Sequence, residues 1–111
     1  MGLGVSQAVI HNGIVYLAGQ VATGARGGSV AEQTKDVLLN IDVLLAEANS
    51  NKGRILSATI GLTDMAAFSD MNEVWEAWIV RGAPPARAAV ASPEVASQDF
   101  KLEVSVIAAQ S

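Results

Sequence analysis

The chain has 111 residues, seven Lys and Arg against eleven Asp and Glu, and a formal net charge of -4. That is the size of one domain, residues 1–111, and its scattered cations argue against nucleic acid as a partner, because phosphates are met by clustered Lys and Arg. Cysteine is absent and histidine occurs once, so disulfides, thiol catalysis and histidine-rich metal sites are excluded and no metal is expected.

Two short β-branched runs come first, at residues 5–10 and 14–18. His11-Asn12-Gly13 lies between them, and Asn-Gly is the pair favoured in two-residue hairpin turns. His11 is thereby placed at an exposed tip, away from any closed pocket. Residues 23–28 read as a flexible, solvated connector. No Gly-Lys-Ser/Thr ends this loop, so it lacks the lysine and hydroxyl of a phosphate-binding loop. Ser29-Val30-Ala31-Glu32 has the spacing in which each end of the pair bonds an amide of the other. Val37, Leu38, Ile41, Leu44, Leu45 and Ala48 then recur at the helical period, leaving Lys35, Asp36, Asp42 and Glu47 for the opposite side. Asn49-Ser50-Asn51-Lys52-Gly53 stops that helix.

Residues 54–64 return as a strand, and a second helix follows from about Ala66 to Val80. Its apolar stripe is Phe68, Met71, Val74, Trp75, Trp78 and Ile79, so both tryptophans belong to a core or an interface. Asn72 sits beside the stripe, where a polar side chain would project into a pocket at a subunit boundary. In Gly82-Ala83-Pro84-Pro85-Ala86-Arg87-Ala88-Ala89-Val90 the prolines enforce an extended approach to a strand of small apolar residues headed by Arg87. Residues 92–99 connect it to a last strand at 100–108, which carries Glu103.

The order β-β-α-β-α-β-β predicts an α+β fold, a mixed sheet with two helices on one face. The other face remains apolar. Half of the residues are hydrophobic and only 16% are charged, against roughly a quarter charged in ordinary soluble domains. A chain this small cannot hide so much apolar surface alone, so a neighbouring subunit is expected to cover the open face. No apolar run approaches the length of a membrane helix and Met1-Gly2-Leu3 lacks a basic start, so no membrane partner, no signal peptide and a cytoplasmic location are expected.

Arg87 and Glu103 are the most informative charges, one arginine and one carboxylate each placed in a largely apolar strand. A guanidinium keeps its charge and needs water or an acceptor. Two readings stay open on this pattern. Arg87 clamps a substrate carboxylate while Glu103 handles water, or the two form a structural ion pair at a strand end or subunit contact.

Several segments together resemble the RidA/YjgF family, the reactive-intermediate deaminases, some of which are labelled L-PSP endoribonucleases. They are Ser6-Gln7-Ala8-Val9, Asn12-Gly13-x-Val15-Tyr16-x-x-Gly19-Gln20 and Glu32-Gln33-Thr34. Further on come Ile55-Leu56-Ser57-Ala58-Thr59-Ile60, Phe68-x-x-Met71-Asn72-x-x-Trp75, Pro84-Pro85-Ala86-Arg87-Ala88-x-Val90 and Leu102-Glu103-Val104. Each is weak singly; their order and spacing are specific.

The resemblance implies a chorismate-mutase-like fold assembled as a homotrimer with three clefts between subunits. It implies cofactor-free hydrolysis of 2-imino acids, released by pyridoxal-phosphate enzymes, to 2-oxo acids and ammonia. Arg87 would bind the substrate carboxylate and Glu103 would position or deprotonate the attacking water. Asn72 and the backbone near Gly19 and Ala89 would line the cleft. The chain departs from better-known members at Val5, where a tyrosine is common, at Ala18, where a serine is common, and at Ala89, where a cysteine is common. Those changes make the cleft more apolar and bear on substrate preference. The start close to Ser6-Gln7 leaves a shorter leader than is usual, as a truncation or a divergent member would show. The alternative functions are a non-catalytic trimer that binds small carboxylates or a protein partner in its clefts, and a ribonuclease. The single histidine and negative charge argue against the last.

Overall fold

The computed structural model describes residues 4–111; Met1-Gly2-Leu3, on which the signal-peptide expectation rests, lies outside the described residues. β1 (Ala8–His11) and β2 (Ile14–Leu17) form the hairpin. Asn12 and Gly13 both take positive φ, 52° and 77°, the conformation that matches a two-residue turn to the twist of its strands. β1 starts later than the β-branched run suggests. Its partner β2 ends at Leu17, and past that point a single bond, Ala18 N–H to the Gln7 carbonyl at 2.9 Å, extends the pairing.

α1 (Val30–Glu47) opens on the predicted capping box, the Ser29 hydroxyl accepting from Glu32 N–H at 3.1 Å and the Glu32 carboxylate accepting from Ser29 N–H at 2.8 Å. β3 (Ile55–Leu62) is followed by a 3₁₀ turn at Met65–Ala67 and by α2 (Phe68–Trp78). This helix is shorter than the expected 66–80. The Asp64 side chain caps the tight turn ahead of it, and Ile79 is already extended behind it. β4 (Ala86–Ala91) begins just past Pro84-Pro85, since a proline has no N–H for a strand ladder. β5 (Leu102–Ala109) closes the fold.

The five strands lie in the order β1-β2-β5-β3-β4, with β3 and β4 parallel and every other pair antiparallel. The expected β-β-α-β-α-β-β architecture with a mixed sheet is the observed one. Val15 and Leu17 of β2, Ala58, Ile60 and Leu62 of β3, and Leu102, Val104, Val106 and Ala108 of β5 are buried on one side of the sheet. Val37, Leu38, Ile41 and Leu45 of α1 and Met71 and Trp75 of α2 join them in one core, so both helices cover this face. Gln33, fully buried, staples the first turn of α1 to the approach of β5. Its Nε2 donates to the Asp99 carbonyl and its Oε1 accepts from Lys101 N–H, both at 2.8 Å, which satisfies a polar side chain where water cannot reach.

The opposite face has no helix over it. Val9, Tyr16 and Val90 point from it and are 53%, 43% and 46% exposed. Leaving three such side chains wet forgoes burial that is worth on the order of 1.5–3 kcal/mol each when complete.

Candidate functional site

The strand registers decide where the two predicted charges go. Arg87 is the β4 neighbour of Ala58, a core residue, so its side chain leaves the sheet on the helix-covered side. Glu103 is the β5 neighbour of Gly61 and is flanked by buried Leu102 and Val104, so its side chain leaves on the open side. Within one chain they are not a pair. The one ion pair among the described residues joins Arg26 to Asp99 at 2.9 Å, both more than half exposed and therefore of small energetic weight.

Arg87 is half-buried against α2. Its Nη1 donates to the Asn72 Oδ1 at 2.6 Å, and its Cζ lies 5.5 Å from the Phe68 ring centroid and 5.4 Å from that of Trp75. Phe68, Asn72 and Trp75 are spaced i, i+4, i+7, which brings them onto one stripe of the helix. Asn72 is thus inside that stripe, facing β4. The cation meets a neutral amide and two aromatic faces, and no carboxylate lies within ion-pair distance among the described residues. Ala89, two residues along β4, points to the same side and packs against the core edge.

Glu103 belongs to a second cluster. The backbone of Gln20 bridges Val104 in both directions, N–H to carbonyl at 2.8 and 3.0 Å, and this lays Gly19 beside Glu103. A side chain at Gly19 would collide with it, since an added Cβ would lie 2.6 Å from the Glu103 Cδ. The carboxylate is exposed and accepts no hydrogen bond among the described residues. Ala18 is adjacent and half-buried. The Ala18 N–H to Gln7 bond and the Gln20 Nε2 bonds to Gln7 Oε1 (2.8 Å) and the Ala18 carbonyl (3.1 Å) tie the leading segment to this corner. Val5, two residues before Gln7, is 64% exposed.

The predicted site residues therefore fall into two groups, Asn72, Arg87 and Ala89 under α2, and Gly19, Ala18 and Glu103 on the open side. Phe68 and Trp75, assigned from the sequence to packing alone, belong with the first group. Their shared spacing with Asn72 is the signal that would have joined them to it. A groove of about 560 Å³ between α1 and α2, lined by Leu39, Asp42, Lys52, Glu73 and Trp78 among others, includes none of these residues. His11 is exposed at the hairpin tip, with its Nε2 3.1 Å from the Asn12 amide nitrogen. No group of three or more His, Cys, Asp or Glu able to hold a metal occurs among the described residues, and no described helix is long and apolar enough to cross a membrane.

The family described as endoribonuclease L-PSP matches residues 4–110. A RutC family protein of Haemophilus influenzae is 41% identical over 104 residues, which cover 94% of this chain and 89% of that protein. The RutC family protein YoaB of Escherichia coli is 38% identical over the same length, with the same two coverages. Among solved structures, a YjgF-family protein of Neisseria meningitidis aligns with a TM-score of 0.94 at 39% identity, covering all of this chain and 91% of that one.

Proposed function

The chain belongs to the endoribonuclease L-PSP family, and on that footing we propose that it hydrolyses reactive 2-imino acids to 2-oxo acids and ammonia. The observation that carries this reading is the state of Arg87, a half-buried cation whose protein partner is a neutral amide. Such a group attracts an anion, and a planar fork with free donors fits a carboxylate best.

Glu103 supplies the second half. An imine carbon is already electrophilic, so the reaction needs the substrate anion held and one water placed. Water adds to the carbon as Glu103 takes its proton. That proton passes to the nitrogen to give a carbinolamine. The remaining hydroxyl proton then moves to the nitrogen as the carbon–nitrogen bond breaks, so that both water protons leave on ammonia and the oxygen stays as the 2-oxo group. No cofactor enters this balance. Because Glu103 and Arg87 leave opposite faces of the sheet, the reading requires two copies. One contributes Val5, Ala18, Gly19 and Glu103, the other Asn72, Arg87 and Ala89. A homotrimer sealed over the open sheet face would provide three such clefts, and the cytoplasm is its proposed location.

A second reading has its own support. The distance between the two clusters in one chain also suits a trimer that captures small carboxylates or a partner without turnover. RNA cleavage, which the family's description names, finds little to work with. A net charge of -4 and one histidine at a hairpin tip offer neither a basic track nor a paired acid and base.

Ammonia release from enzymatically generated 2-iminopropanoate, compared between wild type and Arg87→Ala, separates these readings. Wild type is expected to exceed the spontaneous rate and Arg87→Ala to fall back to it. A wild type no faster than buffer that still binds pyruvate would leave the capture reading in place of catalysis.

A further inference from the structure

We propose that Phe68 and Trp75 are positioning residues that hold the Arg87 guanidinium flat in one orientation, leaving one edge of its fork free for a carboxylate. The inference rests on the reading of Arg87 as the substrate clamp. Two helical turns separate Phe68 from Trp75, about 10 Å of rise, so a Cζ within 5.5 Å of both ring centroids sits between them. Asn72, midway along the same stripe, takes the Nη1 donor at 2.6 Å. The cation is thus bounded on three sides by one helix.

The chemistry of these three partners differs from that of the usual one. A protein carboxylate would fix an arginine equally well, yet it would cancel the charge and occupy the fork. Aromatic rings attract the guanidinium face through their quadrupole and use none of its N–H groups. The amide oxygen uses one. Of five donors, four remain without a protein acceptor among the described residues. The side chain is therefore ordered before a ligand arrives and keeps its charge and two parallel donors for that ligand. Trp75 is 4% exposed and immobilised by the core, while Phe68 is half-buried and closes the outer side.

Two measurements test this on the full chain. Nitrogen-15 spectra of the arginine side chains are expected to show separate Nη1 and Nη2 signals for Arg87 in wild type, because rotation about the Cζ–Nε bond is hindered. Phe68→Leu, which keeps apolar bulk and removes the ring, is expected to merge them, and Phe68→Tyr to preserve them. By calorimetry with pyruvate, Phe68→Leu is expected to bind about five- to tenfold more weakly than wild type, the scale of one lost cation–π contact. Phe68→Tyr is expected to stay within about twofold. Trp75→Phe, which keeps a ring in the buried slot, is expected to fall between them. Unchanged spectra and affinity in Phe68→Leu, with melting temperature held, would overturn the positioning role. Wild type with resolved signals and no affinity for pyruvate would instead sink the carboxylate clamp and leave the ordered arginine without that ligand.

Discussion

Arg87 and Glu103 stand on opposite faces of one sheet, two strands apart and three residues out of level. Their β3 neighbours are Ala58 and Gly61 respectively. With about 3.3 Å per residue and 4.8 Å between strands, their Cα atoms are roughly 14 Å apart before either side chain diverges. A substrate of a few heavy atoms cannot touch both within one subunit. The apolar, uncovered face that carries Glu103 offers the way out under the proposed assembly, in which a second copy packed there would bring its own Arg87 edge with it.

That arrangement predicts complementation between two dead variants. Arg87→Ala and Glu103→Gln are each expected to lose activity by roughly 10²-fold or more, the scale of general acid–base work. Co-refolded in equal amounts, they are expected to regain activity, because about a quarter of the clefts in a closed ring would pair an intact arginine with an intact glutamate from different copies. Light scattering should give a trimer mass for both. Mixed trimers seen by native mass spectrometry without any recovery would place the two residues in different sites.

Gly19→Ala isolates the position of the Glu103 carboxylate from the fold. The added methyl would arrive 2.6 Å from the Glu103 Cδ, and what must give way is the end of a flexible, exposed side chain. The melting temperature is expected to stay within a few degrees, as for most surface changes. The proposed deaminase activity is expected to drop at least about tenfold, since a group that must place water loses its alignment when displaced by an ångström. A fully active Gly19→Ala enzyme would remove Glu103 from the chemistry.

Much of this fold was legible because local rules and tertiary packing agree. The Asn12-Gly13 turn, the Ser29/Glu32 capping box and the α1 stripe each follow from a short-range rule, and each stands in the structure. The apolar residues on the open face were legible too, as a surplus without a cover. What sequence could not show is the strand order β1-β2-β5-β3-β4, since pairing between distant strands leaves no periodic signature. The faces chosen by Arg87 and Glu103 follow from that register, and so does their separation. Gln33 likewise reads as one more polar helix residue until its carbonyl and amide are seen fastening Asp99 and Lys101.

The two tryptophans of α2 are expected to differ in what they stabilise. Trp75 is 4% exposed, so Trp75→Ala should cost about 3–5 kcal/mol through a large cavity. Trp78 is half-buried, donates through Nε1 to Asp42 at 3.0 Å and lies under the Lys52 ammonium at 5.5 Å. Its truncation should cost only about 1–2 kcal/mol, one net hydrogen bond and a partial burial. Urea midpoints at constant m-value check this ordering, and equal losses would mean that Trp78 is buried in the assembled protein.

The capping box at the start of α1 is expected to titrate. Bonds from the Ser29 backbone N–H, then from its side chain, hold the Glu32 carboxyl below the usual carboxylate range. A depressed folded value means that its stabilisation is fully present above the unfolded value, around 4.3, and is lost as pH falls through the lower folded one. Wild type should therefore melt above Glu32→Ala at neutral pH, with the gap narrowing in acid. A gap that does not change between pH 7 and strongly acidic buffer would show that the carboxylate charge contributes nothing there.

Arg87→Lys separates charge from shape. Lysine keeps the positive charge and enough length to reach the same region, so a site that only needed a cation would hardly notice. The fork is what changes. Arg87 already spends one donor on the Asn72 oxygen at 2.6 Å, and its Cζ lies 5.5 and 5.4 Å from the Phe68 and Trp75 ring centroids. A guanidinium can hold that bond and still offer two parallel donors to a carboxylate, whereas an ammonium is a point charge whose hydrogens diverge tetrahedrally. Satisfying Asn72 would therefore turn a lysine away from the ligand, and satisfying the ligand would leave Asn72 unpaired beside two rings. The expected outcome is that Arg87→Lys folds with a melting temperature near wild type but binds pyruvate and 2-oxobutanoate at least about tenfold more weakly, with most of the ammonia release lost. Calorimetric titration of both proteins with the two acids measures it. Equal affinity would mean that charge alone holds the anion, and Arg87 would cease to be a clamp.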